Sequence, residues 1–152
     1  MNEFAEKLVP ERAENDYKGY RFAEIAFLVI AIITIVRSLL HILLPDGGAQ
    51  TIATIDINIE GSEIIISIFA LWGLAQLLMG IFYIIVYFRY KNLIPLMYVF
   101  IFIEYAMRII IGQLKPFETM GIAPGAVGNI IMVPLSLIFF FFSIKEPKNK
   151  EV

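Results

Sequence analysis

Two side chains of opposite charge lie inside one long apolar segment. Residues 93–112 form a run of membrane-spanning length, and Glu104 and Arg108 are the charged residues within it. A charge inside such a segment costs on the order of 2.5 to 3.5 kcal/mol, so it needs a partner away from lipid. A spacing of four residues puts both on one helical face, about 6 Å apart along the axis. We therefore expect them to pair and to reach a charge on a neighbouring helix.

The first apolar segment carries Arg37 and, one turn later, His41. Arg37 lies eight residues before Pro45, and Glu104 lies eight residues before Gly112, which places both about 12 Å below the outer ends of their helices. His41 and Arg108 are level with each other one turn higher. In an up-and-down bundle the first and third helices are parallel and diagonal, so both can point into one interior. The sequence predicts a cluster of Arg37, Glu104 and Arg108, with His41 at its rim, open to the outside.

Polar residues on the second and fourth segments complete the predicted site. Gln76 and Asn129 lie within apolar sequence, and we expect both to take part in ligand binding, with Glu63 and Trp72 at the rim. Each residue also has a purely structural interpretation. Gln76 and Asn129 are typical of hydrogen bonds between helices. Glu63 is typical of the first turn of a helix, where its charge suits the helix dipole, and Trp72 of packing.

Two guanidinium groups beside one carboxylate favour the binding of a small anionic or lipid-like ligand, with transport as an extension. The alternatives are a non-catalytic structural or accessory subunit, whose ion pairs only join helices, and a small enzyme using Glu104 as acid or base. No hydrolase, metalloprotease, P-loop or dinucleotide motif occurs in the sequence, so we favour a non-enzyme. One histidine and no cysteine predict neither a metal site nor a cofactor.

Composition places the chain among integral membrane proteins. It has 152 residues, of which 59% are hydrophobic and only 17% charged, and its mean hydropathy is +0.79. Soluble domains carry about 25% charged residues. A net charge of −2 without a basic run excludes a nucleic-acid partner. The length allows one all-α bundle of about four spans.

Hydropathy places four spans at about residues 22–44, 63–88, 93–112 and 125–144. A polar leader, 1–21, precedes them and a polar tail, 145–152, follows. The first span ends at the strong breaker Pro45-Asp46-Gly47-Gly48. Pro95 and Pro124 begin the third and fourth spans, where a missing amide proton is harmless. The run Phe139–Phe142 in the fourth span is expected to face lipid.

The distribution of basic residues predicts the orientation. Nine lysines and arginines fall in the leader, the second connection and the tail, against Lys115 alone in the other two connections. By the positive-inside rule both termini are cytoplasmic, in a cell inner membrane. Residues 45–62 and 113–124 are then the outer connections.

The first outer connection has a period-two pattern. Ile55, Ile57 and Ile59 alternate with polar residues, which predicts a short amphipathic strand. The same segment can instead fold over the mouth of the bundle as a lid.

An arginine in the first span, Arg37, and a glycine-punctuated second span, LWGLAQLLMG at 71–80, occur in a four-span chain of about 150 residues. In these features the chain resembles the small DoxX-like bacterial membrane proteins. The resemblance implies a bacterial inner-membrane protein and transfers no functional residue. The expected partners are the lipid bilayer, the anionic or lipid ligand, and either a second copy of the chain or another membrane protein.

Overall fold

The computed structural model describes residues 3–147, which form helices joined by turns. A short helix, α1, spans Glu3–Leu8. Four long helices follow: α2 at Arg21–Leu43, α3 at Ser62–Arg89, α4 at Ile94–Leu114 and α5 at Pro124–Ile144. A single 3₁₀ turn at Lys91–Leu93 links α3 to α4. The helix bounds lie within two residues of the predicted spans.

All four long helices are long and apolar enough to cross a membrane. The prediction of an all-helical, four-helix membrane bundle is confirmed at this level. We call the end of the bundle with the leader, the 3₁₀ turn and residue 144 the terminal end. The opposite end, with connections 44–61 and 115–123, is the loop end.

The helices pack as two hairpins, α2 with α3 and α4 with α5, and α2 also contacts α5. Gly73 and Gly80 allow the close approach of α3 to α2. A Cβ at Gly73 would lie 2.8 Å from the Cβ of His41, and one at Gly80 would lie 2.8 Å from Ile35 Cγ1. Small residues at such contacts let two backbones approach closely.

The buried core lies in the terminal half of the bundle. At its centre the ring of Phe27 on α2 lies 5.4 Å from Tyr83 on α3 and 5.8 Å from Tyr98 on α4, between centroids. The Tyr98 hydroxyl donates a 2.6 Å hydrogen bond to the Ala23 carbonyl. These contacts join three helices through aromatic rings, which combine large buried area with a defined geometry.

The leader packs across the terminal end. The Asn92 side chain accepts a hydrogen bond from the Glu14 backbone N–H at 2.9 Å and donates one to the Arg12 carbonyl at 2.7 Å. Lys91 forms a 2.8 Å ion pair with Glu24 of α2. The leader is therefore fixed to the turn between α3 and α4. Of the predicted polar tail, Lys148 and Lys150 lie outside the described residues.

The expectation that Phe139–Phe142 face lipid is wrong for most of the run. Phe139 packs 5.7 Å from the ring of Tyr98, and Phe142 packs 5.3 Å from Tyr20, while Phe141 is exposed. Successive helical residues point about 100° apart, so four in a row cannot share one face.

The predicted amphipathic strand is also wrong, because no strand forms in residues 3–147. Asp46 organises the start of the connection instead. Its carboxylate accepts hydrogen bonds from the backbone N–H groups of Gly48, Gln50 and Thr51 at 2.8 to 3.1 Å. Residues 54–58 have no regular secondary structure and meet no second strand, and a lone strand cannot satisfy its own backbone. A lid role for this connection stays a prediction.

Asp46 makes the stability of this connection depend on pH. Burial raises the pKa of the Asp46 carboxyl, but the hydrogen bonds from Thr51, Gly48 and Gln50 outweigh burial and hold the pKa below its usual range. The stabilisation is complete above the unfolded value of about 3.9 and is lost as the pH falls through the lower folded value. We expect Asp46→Asn to lower the thermal unfolding temperature at neutral pH. The difference from wild type should shrink in acid, and a constant difference would contradict this role.

Gly73→Ala tests the contact between α2 and α3. The added methyl meets His41 Cβ and the Ser38 carbonyl, so the helices must separate, and we expect unfolding to become easier by about 1 to 3 kcal/mol. Gly128→Ala is the matched control. A Cβ there has no atom within 4 Å, and alanine favours a helix by up to about 1 kcal/mol. Chemical unfolding in detergent measures both variants, and equal stability of the two would contradict the packing.

Candidate functional site

Polar side chains of three helices meet directly above the core, on the side of the loop end. We call this group the polar cluster: Arg37 of α2, Trp72 and Gln76 of α3, and Glu104 and Arg108 of α4. On α4 the cluster continues a buried face, because Ile101, Glu104 and Arg108 are spaced by three and four residues. The same helical face thus packs the core below and presents charges above it.

Gln76 links the charged residues across the helices. Arg37 Nη2 donates to Gln76 Oε1 at 2.8 Å, and Gln76 Nε2 donates to Glu104 Oε1 at 2.9 Å. Arg108 Nη2 forms an ion pair with that same carboxylate oxygen. The structure therefore brings together the three charged residues of the predicted cluster, with Gln76 between Arg37 and Glu104. A primary amide suits this position because it donates and accepts at once.

Trp72 lies beside both guanidinium groups. Its ring centroid is 5.6 Å from Arg37 Cζ and 4.9 Å from Arg108 Cζ, within the range of cation–π attraction. Trp72 was predicted at the rim, and the structure places it inside the cluster. Tyr105 was missed by the sequence reasoning, although its ring lies 5.3 Å from Arg108 Cζ. The spacing of three between Tyr105 and Arg108 could have indicated this contact.

The polar cluster has more positive charge and more donors than its own residues use. Two guanidinium groups face one carboxylate, which leaves a formal charge of +1. The Arg37 Nε–H is buried and has no acceptor among the described residues. The cluster is not sealed, since the Arg108 side chain is 19% exposed and that of Glu104 is 27% exposed. A free N–H group beside a net positive charge can donate a hydrogen bond to an oxyanion.

His41 lies next to the polar cluster but has a different set of contacts. Its ring is buried, 4.9 Å from that of Trp72 and 5.6 Å from that of Phe69. Its Nδ1 is 2.8 Å from the Gly47 carbonyl, so the ring holds the first connection against α2. The tautomer that carries the proton on Nδ1 makes this hydrogen bond.

Two further predicted residues lie apart. Glu63 is exposed in the first turn of α3, more than two turns from Trp72. Asn129 is half-buried on α5 and takes part in none of the hydrogen bonds of the polar cluster. It shares a face with Ser136, which is buried and bonds to the Val133 carbonyl at 2.9 Å. The binding roles of Glu63 and Asn129 stay predictions.

Glycines near the loop ends of α4 and α5 have open surroundings. Gly112 continues the face of Glu104 and Arg108 on α4, and Gly125 continues the face of Asn129 on α5. A Cβ at either glycine, or at Gly128, would find no atom within 4 Å. The loop ends of α4 and α5 are thus open, whereas the loop end of α2 and α3 is closely packed at Gly48 and Gly73.

No family model, curated protein or solved structure matches this chain. The resemblance to DoxX-like proteins therefore stays a prediction, and function has to be argued from the site itself.

Outside the polar cluster, the part of the chain that the structure describes has a cleft at the terminal end and no group of metal-binding side chains. Within residues 3–147 no three histidine, aspartate or glutamate side chains are grouped in a way that could hold a metal ion. A cleft of about 460 Å³ lies at the terminal end, with Tyr17, Asn92 and Ser143 among its lining residues. This cleft lies at the end of the bundle opposite the loop end. Its walls are the leader and the ends of α4 and α5.

A double-mutant cycle tests the coupling of Glu104 and Arg108. Glu104→Gln removes the carboxylate and leaves two guanidinium groups together, so we expect a loss of roughly 3 kcal/mol in unfolding free energy. Removing Arg108 as well should restore part of it, with a coupling of about 0.5 to 3 kcal/mol. Glu63→Gln, at an exposed residue, is the control and should change stability by less than about 0.5 kcal/mol. Strictly additive losses in denaturant unfolding would show that the two side chains act independently.

Proposed function

We propose that this protein binds a small anionic ligand at the polar cluster, which the ligand reaches from the loop end. The observation that carries the proposal is the pair of guanidinium groups on Trp72 with a single carboxylate between them. Charges within spans of this length are costly and mark functional sites by default. A purely structural ion pair needs one arginine to neutralise the carboxylate of Glu104, whereas this cluster has two arginines.

The proposed role of each residue follows from its contacts. Arg37 and Arg108 hold the anion through their guanidinium groups, and the Nε–H of Arg37 has no acceptor in the cluster. Glu104 fixes Arg108 through their ion pair, and Gln76 fixes Arg37 relative to Glu104. Trp72 forms a flat wall that both guanidinium planes approach. Guanidinium groups recognise carboxylates and phosphates through paired hydrogen bonds, which favours these two ligand classes.

The proposal includes a location. The bias of lysines and arginines supports a cell inner membrane with both termini in the cytoplasm. The loop end then faces the outside, and the ligand arrives from the non-cytoplasmic side. Four helices are few for a lone transporter, so transport would require a second copy of the chain.

The second candidate function is a structural or accessory subunit. It is favoured by the way Gln76 joins α2, α3 and α4 through two hydrogen bonds, which fixes the register of these helices. If this is the function, no ligand neutralises the excess positive charge, and anions do not bind to the polar cluster.

Trp72 is the single tryptophan of the chain and contacts both arginines, so its fluorescence reports on the site directly. We expect inorganic phosphate, titrated into the protein in a non-ionic detergent, to change the emission in a saturable way. Arg37→Gln and Arg108→Gln should each weaken binding about tenfold, the loss expected for a charge-assisted hydrogen bond.

Arg89→Gln is the matched control, because Arg89 is an exposed arginine at the terminal end of α3. It should bind phosphate as wild type does. An emission that does not respond to phosphate, or that responds equally in all variants, would favour the structural function.

A further inference from the structure

We infer that the anion bound at the polar cluster is the acidic head group of a bilayer lipid, which enters between α3 and α4 in the half of the bundle nearest the loop end. This inference rests on the proposed function and names its ligand class. It depends on three features of the structure: the loose contact between α3 and α4, the apolar surfaces beside the cluster, and the depth of the arginines.

The first feature is the way α3 meets α4. Each of these helices packs closely on its hairpin partner, α3 on α2 through Gly73 and Gly80, and α4 on α5. Between α3 and α4 there is little backbone contact. At the level of the polar cluster they are joined by side chains, through the bond from Gln76 to Glu104 and the stacking of Arg108 on Trp72. Side chains move more readily than packed backbones, so this is the side on which a ligand can enter.

The second feature is the surface on either side of that entrance. On α3, three exposed apolar residues lie three, four or seven positions from Trp72, and three on α4 have the same spacings from Glu104. At these spacings, side chains are neighbours on a helix surface. These six residues are Ile68, Ala75, Met79, Phe100, Met107 and Ile111. The charged cluster is thus flanked by apolar side chains, which is the complement of an acidic head attached to an acyl chain.

The third feature is depth. Arg108 lies six residues before the end of α4, about 9 Å along the axis from the loop end. A soluble anion reaching this level would have to lose its water. A lipid supplies both parts, since its head neutralises the charge of +1 and its chain covers Met107 and Ile111. Charge complementarity therefore favours a negatively charged lipid over a zwitterionic one.

Bromine quenching measures this contact. Brominated acyl chains quench tryptophan emission on contact, and Trp72 is the one tryptophan in the chain. The full-length protein is reconstituted in two kinds of vesicle that contain the same two lipids, phosphatidylglycerol and phosphatidylcholine. In one kind only the phosphatidylglycerol is brominated at mid-chain, and in the other only an equal amount of the phosphatidylcholine.

We expect the anionic brominated lipid to quench Trp72 more strongly than the zwitterionic one. The apparent affinity for the anionic lipid should fall about tenfold in Arg108→Gln, the effect of one charge-assisted hydrogen bond, and should be unchanged in Arg89→Gln. Equal quenching of wild type by the two lipids would overturn the inference. That comparison uses wild-type protein alone, so it is decisive even if a variant fails to fold.

The result can be separated from that of the proposed function. If phosphate binds in detergent but the vesicles show no lipid preference, the proposed anion site is supported and the inference of a lipid ligand is contradicted. If neither phosphate nor lipid affects Trp72, both proposals fail. Tight dimers in which neither brominated lipid quenches Trp72 would also overturn the inference, because a second copy would then cover the entrance.

Discussion

The structure depends on one constraint, which is that a charge in an apolar helix must have partners within reach. Arg37, Glu104 and Arg108 lie in helices long and apolar enough to cross a membrane. Their partners come from three different helices, and the amide of Gln76 connects them. Because an unpartnered charge in hydrocarbon costs several kcal/mol, this requirement limits how the helices can rotate or slide past one another. The aromatic contacts of Phe27, Tyr83 and Tyr98 below the cluster are compatible with the same register.

The two halves of the bundle are packed differently, and the polar cluster lies where they meet. The terminal half has a buried aromatic core and a leader fixed by Asn92. The loop half has open space at Gly112, Gly125 and Gly128. The polar cluster lies directly above the buried core, and the side chains of Arg108 and Glu104 are partly exposed.

The sequence predicted the helices because long apolar runs interrupted by proline and glycine allow few other structures. It also predicted that Arg37, Glu104 and Arg108 share one region, since their distances from the ends of the apolar segments indicate a similar depth. It could not show that Gln76 separates Arg37 from Glu104 or that Trp72 contacts both arginines, because depth does not fix the rotation of a helix about its axis. The strand prediction failed for a different reason. Alternation at Ile55, Ile57 and Ile59 gives a strand only where a second strand can pair with it, and no strand forms in residues 3–147.

The division of hydrogen bonds between the two hairpins bears on how the chain is made. Arg37 and Gln76 belong to the first hairpin, and Glu104 and Arg108 lie one turn apart on a single helix of the second. Each arginine therefore has a polar partner as soon as its own hairpin exists, before the two halves meet. The hydrogen bond between Gln76 and Glu104 joins the two hairpins, so it forms only when they pack together. During synthesis from the N-terminus, the two helix pairs can thus enter the bilayer one after the other. In each pair the arginine already has a polar partner on its own hairpin.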